Sequence, residues 1–268
     1  MGIAGKKPGK TRLDLLVVER GLAASRERAQ SLILAGRVLV REKKPKGERK
    51  IDKPGAAVAA DADLRVLGED QPYASRGGLK LAAALEQWGI EVAGRGCLDV
   101  GASTGGFTDC LLQHGAAHVT AVDTGFGQMA MKLRNDSRVR LMERTNARLL
   151  EPGSLESPET DGGSLAKTLL VMDVSFISAT LVLGPVLAAA PNLAEAVILV
   201  KPQFEAGREH VGKGGIVRDA AVHELAVGKV AACVRALGWQ IAGTMPSPIT
   251  GAEGNREFLL YAKRKDSW

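Results

Sequence analysis

The sequence predicts an α/β protein, a doubly wound Rossmann-like sheet preceded by a small N-terminal α+β domain. Three observations carry this. From Tyr73 onward, short apolar runs alternate with amphipathic stretches, the pattern of a mainly parallel sheet covered on both faces. The run Asp99-Val100-Gly101-Ala102-Ser103-Thr104-Gly105-Gly106-Phe107 joins an apolar strand to a helix through a glycine turn. Finally, residues 1–70 hold 16 Lys/Arg against 10 Asp/Glu, whereas residues 71–268 hold 20 of each, so the whole net charge of +6 lies in the first quarter. Such asymmetry implies a polyanion-binding module joined to a neutral body.

Residues 1–11, rich in Lys, Gly and Pro, read as a disordered basic tail. A compact domain is expected over 12–67. Leu13, Leu15, Leu16 and Val17 predict a short helix that Gly21 stops, and Ser25 is placed to cap a second helix that Gly36 ends. Val38 and Val40 alternate as a strand, a charged stretch follows, Lys53-Pro54-Gly55 makes a turn, and Leu64-Arg65-Val66 closes the domain. Residues 68–75 read as a linker and 76–268 as the larger domain. Strands are expected over 96–100, 118–123, 139–144, 168–173, 196–201, 239–245 and 257–263, the last two as an antiparallel pair. Helices are expected over 76–88, 106–114, 127–134, 178–189 and 219–237. Residues 151–166 read as a surface loop, and Glu205–Arg218, with four glycines, as a long loop able to close over a ligand or merely to connect.

The glycine turn lacks the second early glycine of a dinucleotide fingerprint, because Ala102 and Ser103 stand there. No pyrophosphate cradle is implied. The carboxylates Asp99 and Asp123, the latter ending the next strand, suit a ligand with cationic and hydroxyl-bearing parts, and S-adenosylmethionine meets that demand. Gly101, Ser103, Thr104, Gly105, Gly106 and Phe107 of the turn are the candidate cofactor residues with Asp99 and Asp123. Asn146, at the end of the third strand, is placed either to contact adenine or to make a turn.

Four charged residues fall at strand ends or on the first helix of the larger domain: Lys80, Asp173, Lys201 and Glu257. Asp173 closes Leu169-Leu170-Val171-Met172, and Lys201 closes Val197-Ile198-Leu199-Val200. A charge at the tip of a buried strand is costly unless paired, so a Lys–Asp cluster is expected. Desolvation favours a neutral amine, which can take a proton from a hydroxyl. Asp173 would orient that base and Glu257 would hold the other lysine; an ordinary ion-pair network at the sheet edge is the alternative.

Other classes are disfavoured. The three cysteines form no CxxC pair, which speaks against a disulfide framework and for a reducing cytoplasm. The N-terminal run MGIAGKKPGKTR has no apolar segment of a secretory signal, and the tract from Ala179 to Val200 is interrupted by Pro185, Pro191, Asn192 and Glu195, so neither export nor membrane insertion is expected. Cys110, His114 and His118 recur every four residues, but Gly115 ends the helix first, and no metal is expected.

Taken together, Arg12-Leu13-Asp14, Ser25-Arg26, Ala29, Gly36 and Val38, then Tyr73-Ala74-Ser75-Arg76-Gly77-Gly78-Leu79-Lys80-Leu81, the glycine turn, Met172–Ser178, Val200–Glu205 and Gly254–Phe258 resemble the TlyA family, also called haemolysin A. Its members join an RNA-binding domain of the ribosomal-protein-S-four type to an FtsJ-like methyltransferase domain. The resemblance implies 2′-O-methylation of ribosomal RNA, typically at cytidine, by a Lys-Asp-Lys-Glu tetrad matching Lys80, Asp173, Lys201 and Glu257. Glu253, in the preceding glycine-rich loop, is the competing match for the last. It also implies an influence of the linker on cofactor binding. RNA contact would begin with Arg12, Arg26, Arg28 and Arg37. A membrane-active cytolysin and a non-catalytic, RNA-binding ribosome assembly factor are the rival readings.

Overall fold

The computed structural model describes residues 9–23, 25–42, 47–67, 72–155, 167–251 and 254–265. The chain forms two compact units, Met1–Asp70 and Gln71–Trp268.

In the first unit, β1 (Lys10–Arg12) leads directly into α1 (Leu13–Glu19). α2 (Arg26–Leu34) follows, with Ser25 Oγ accepting from Arg28 N at 3.2 Å. Gly36 leaves that helix at φ +64°, a handedness glycine adopts without penalty. β2 (Val38–Glu42) pairs antiparallel with both β3 (Gly47–Lys50) and β5 (Asp63–Val66), while β4 (Ala57–Ala59) pairs with β1. Leu13, Leu16, Val17, Leu32, Ile33, Val38, Val40 and Val58 form its core. Two expectations change here. Lys10 and Thr11 belong to a strand rather than to the tail, because β4 supplies their backbone partners; and the charged stretch after β2 contains β3, whose residues are all exposed and carry no alternating pattern. Residues 1–8 of the tail lie outside the described residues.

The second unit runs α3 (Gly77–Trp88), β6 (Gly96–Val100), α4 (Gly106–Gln113), β7 (His118–Val122), α5 (Met131–Arg134), β8 (Val139–Met142), β9 (Lys167–Met172), α6 (Thr180–Ala189), β10 (Glu195–Val200), α7 (Pro202–Glu205), α8 (Ala220–Ala236), β11 (Trp239–Pro246) and β12 (Phe258–Arg264). Its seven strands lie in the order β11-β12-β10-β9-β6-β7-β8. β12 is antiparallel to β10 and β11, and the pairings from β10 to β8 are parallel. Period-two alternation divides the apolar strand residues between two cores: Leu98, Val100, Leu170, Met172, Ile198 and Val200 pack with α6 and α8, and Cys97, Leu169, Val171, Val197 and Leu199 with α3 and α4. The predicted loop 151–166 is described only to 155. α5 is shorter than expected because Gly127, at φ +71°, and Ala130, at ψ 135°, lie outside the helical region.

Strand order reverses between β6 and β9. In doubly wound sheets the crevice at the carboxyl ends of the strands opens at such a point.

Candidate active site

β6 and β9 end side by side, with Asp173 N donating to Val100 O at 2.9 Å. Gly101 then turns away at φ +87°. A Cβ there would lie 2.3 Å from the Asp173 carbonyl oxygen, so only glycine permits the approach. Ser103 also adopts a positive φ, and its N–H donates to Asp123 Oδ2 at 2.7 Å, while Gly125 N–H donates to Oδ1 at 2.6 Å. Asp123 thus ties the glycine turn to the end of β7. Gly105, at φ +92°, precedes the first residue of α4.

A cavity of about 520 Å³ opens at this point, lined among others by Gly101, Ser103, Asp123, Asn146, Asp173 and Phe176. Asn146 caps a 3-10 turn, its Oδ1 accepting from Arg148 N at 3.1 Å. A smaller cavity of about 240 Å³ shares Gly101, Ser103 and Asp173 with the first and adds Thr104, Gly106, Phe107 and Lys80. The two spaces therefore adjoin across Asp173 and the glycine turn.

Asp99 lines neither cavity. It is fully buried behind the turn, where Oδ2 accepts from Thr108 Oγ1 at 2.6 Å and Oδ1 has no hydrogen-bond partner among the described residues. Burial pushes its carboxyl up to about 7, against the Thr108 bond and with help from Asp173 and Asp123.

The four candidate tetrad residues meet here as two pairs. Lys201 Nζ lies 2.5 Å from Asp173 Oδ1, and Lys80 Nζ donates to Glu257 Oε2 at 2.5 Å. Lys80, Lys201 and Glu257 are buried and Asp173 keeps 20% of its side-chain surface, so these are largely desolvated ion pairs. The Lys201–Asp173 contact has the distance of an ion pair without the angles of a directed hydrogen bond; the directed bond from Lys201 goes to Ser175 Oγ at 2.7 Å. Gly251 leaves room for the other pair, since a Cβ there would stand 2.6 Å from Glu257 Oε1. Glu253 lies outside the described residues.

Ser175 and Phe176 were not singled out from the sequence. Both sit in Met172–Ser178 beside Asp173, but the conformation that matters, φ +64° at a 91% exposed Phe176, is not written in composition. The long connection after α7 is fastened at its end: Val217 N–H donates to Asn255 Oδ1 at 3.0 Å, and Asn255 Nδ2 to Gly215 O at 2.9 Å. Of the predicted linker, residues 72–75 pack on α4, with Ala74 N–H donating to Asp109 Oδ2 at 2.6 Å and Gln113 Nε2 to Pro72 O at 2.8 Å.

In the first unit the candidate phosphate-binding arginines have protein partners. Arg12 donates twice to the buried Asp14 carboxylate, Arg26 Nε donates to it at 3.0 Å, and Gln30 completes the set. Arg12 above all holds the Asp14 carboxyl far below the usual range. Arg37 Nε donates to Leu67 O at 2.8 Å, and Arg28 contributes its backbone N–H to the Ser25 cap. Arg12 and Arg26 keep about half of their side-chain surface, 47% and 49%.

Among the described residues no group of three or more His, Cys, Asp or Glu could hold a metal ion, and no helix is long and apolar enough to cross a membrane.

The FtsJ-like methyltransferase family matches residues 73–264. The 16S/23S rRNA (cytidine-2′-O)-methyltransferase TlyA of Mycobacterium tuberculosis is 46% identical over 255 residues, covering 95% of this chain and 90% of that protein. Hemolysin A of Brachyspira hyodysenteriae is 40% identical over 250 residues, 93% of this chain and 98% of that one. A solved structure of a candidate hemolysin from Streptococcus thermophilus superposes with a TM-score of 0.68 at 42% identity, covering 97% of this chain and 90% of that one.

Proposed function

Since the chain belongs to the FtsJ-like methyltransferase family, we propose that it transfers a methyl group from S-adenosylmethionine to a ribose 2′-hydroxyl of ribosomal RNA, at cytidine. The observation that carries this reading is that Asp173 and Lys80, each paired with a buried partner, Lys201 and Glu257, both line the smaller cavity beside the glycine turn. The RNA and the cytidine come from the names of relatives sharing 46% of their aligned residues.

The residues fit the cofactor. A Cβ at Gly101 would close the crevice against Asp173, and the larger cavity is lined by carboxylates, Asn146 and the apolar Val122, Ile177 and Val182. Asp123 and Asn146 would hold the ribose and adenine ends, and Gly101 and Ser103 the turn beneath them, with Thr104, Gly105, Gly106 and Phe107 shaping its helix side. Buried Asp99 would act from behind the turn, as a carboxyl that a cation bound in front of it would help to ionise. When bound, S-adenosylmethionine supplies an electrophilic sulfonium methyl.

This chain's own groups then handle the acceptor. Lys201, nearly enclosed, must first shed to solvent the proton of its ion pair with Asp173; as the amine it then takes the proton from the 2′-hydroxyl, and Asp173 stabilises the ammonium that results. Lys80, fixed by Glu257, presents a positive charge from the side of the smaller cavity and steadies the oxygen as it loses its proton. The S-four-type domain over 12–67 brings the RNA, with Arg12, Arg26, Arg28 and Arg37 toward phosphates and residues 68–75 as linker. Such work belongs in the cytoplasm, where ribosomal RNA is found.

Tritiated S-adenosylmethionine is expected to label ribosomal subunits or naked ribosomal RNA. Lys201→Ala should lower labelling by at least about 100-fold while melting like the parent protein. Full labelling by the variant would remove Lys201 as the base.

A further inference from the structure

Lys201 precedes the first residue of α7 and Glu205 is its last, and both reach the same segment after β9. Lys201 Nζ donates to Ser175 Oγ at 2.7 Å. Glu205, 5% exposed, accepts from Ala179 N at 2.7 Å and from Ser178 Oγ at 2.5 Å. Lys229 offsets its charge from 3.6 Å and also donates to the Glu205 carbonyl at 2.8 Å. Between these two fastenings stands Phe176 at φ +64°. A bulky residue there is strained and persists only where its surroundings over-determine it. The strained turn sends the Phe176 ring outward and leaves the Ser175 hydroxyl against Lys201.

We propose that Ser175 is a positioning residue for Lys201, and that Glu205 holds Ser175 in place through the turn at Phe176. This rests on the reading of Lys201 as the base. A lysine side chain has four rotatable bonds, and Asp173, whose contact lacks hydrogen-bond angles, supplies charge without direction. Ser175 supplies the direction. With one N–H committed to Ser175 and the Asp173 carboxylate 2.5 Å to its side, Nζ is held at one place at the end of a long side chain. Loss of the hydroxyl leaves the base present and misaimed.

Full-length Ser175→Ala, Ser175→Thr, Glu205→Gln and Lys201→Ala proteins are compared in single turnover with ribosomal RNA and saturating tritiated S-adenosylmethionine, with thermal melts confirming the fold. Ser175→Ala should slow methyl transfer about 10- to 100-fold. The KM for RNA and the affinity for cofactor should change less than about threefold. Ser175→Thr, which restores a hydroxyl, should return to within about fivefold of the parent. Glu205→Gln keeps an acceptor for Ala179 N–H and loses the charge, and its rate should fall between the two. Parent-like transfer by Ser175→Ala with Lys201→Ala inactive overturns the positioning role and leaves the base in place. Equal losses in Ser175→Ala and Ser175→Thr overturn it as well. Activity in Lys201→Ala overturns the base itself, and the role of Ser175 with it.

Discussion

Both units bury a carboxylate, and they treat it in opposite ways. In the first unit, Asp14 has no exposed side-chain surface and is met by two arginines and a glutamine, so both oxygens are satisfied. In the second, Asp99 is equally enclosed and has one hydroxyl partner, with its other oxygen unpaired among the described residues. The physical consequence runs in opposite directions, since Asp14 is driven toward its ionised form and Asp99 is pushed up to about 7. Saturated pairing is what a small domain needs to fold. Incomplete pairing makes the ionised form costly in the folded chain and leaves a carboxyl behind the glycine turn whose charge state a cationic ligand could change. The Lys201–Asp173 pair belongs to the second pattern, with a close ionic contact and an oxygen still lacking a directed donor.

The largest expected effect comes from removing the saturated carboxylate. Asp14→Ala removes the shared acceptor of Arg12, Arg26, Gln30 and the Leu15 N–H, five hydrogen bonds to one buried carboxylate, although the half-exposed arginines return to water. The first unit has a small core and little stability in reserve. Hydrogen exchange on the full chain should show protection lost across residues 12–66 and retained in the central strands of the second unit. Uniform protection in the variant would mean that the Asp14 cluster contributes little, and the contrast between the units would fail.

Asp99 supplies a smaller effect of opposite sign. Its carboxyl is raised from 3.8 to about 7, so the folded chain binds this proton more tightly than the unfolded chain. Stability from that proton is fully present below the ordinary value and is lost as pH rises through about 7. A rise of about three units corresponds to about 4 kcal/mol. Asp99→Asn keeps an acceptor for Thr108 and cannot ionise. Denaturant midpoints of parent and variant should therefore diverge in favour of the variant between about pH 4 and 7 and run parallel above that. Curves parallel throughout would show that Asp99 is ionised and satisfied like Asp14.

The contrast also marks what could be read from the sequence. Parallel strands buried on both faces appear as unbroken apolar runs, so Leu169–Met172 and Val197–Val200 announce themselves and the charged residues closing them stand out. The glycine turn and the Ser25 cap are local signals with local causes. What escaped depends on partners far along the chain. β3 exists because β2 pairs with it, not through any preference of Gly47–Lys50. Arg12 and Arg26 count as positive charge in a composition, but their commitment to Asp14 spans two helices, and no spacing rule supplies it. Ser175 gained its place only when the Phe176 backbone and the Glu205 side chain were both known.

The smallest effect separates two uses of glycine and tests the same division between folding and function. Gly36 and Gly101 share a positive φ, at +64° and +87°. At Gly36 a Cβ meets nothing within 4 Å, so Gly36→Ala adds only the penalty of the left-handed conformation, about 1 kcal/mol. Gly36→Asn should recover part of it, because Asn tolerates that region. Denaturant midpoints of the full chain read by hydrogen exchange over residues 26–42 should rank parent, Asn and Ala in that order, with cofactor binding unchanged. At Gly101 the same substitution meets the Asp173 carbonyl at 2.3 Å and must move the ends of β6 and β9 apart. A Gly36→Ala chain that bound cofactor as poorly as Gly101→Ala would show that the turn in the first unit is not merely a matter of handedness.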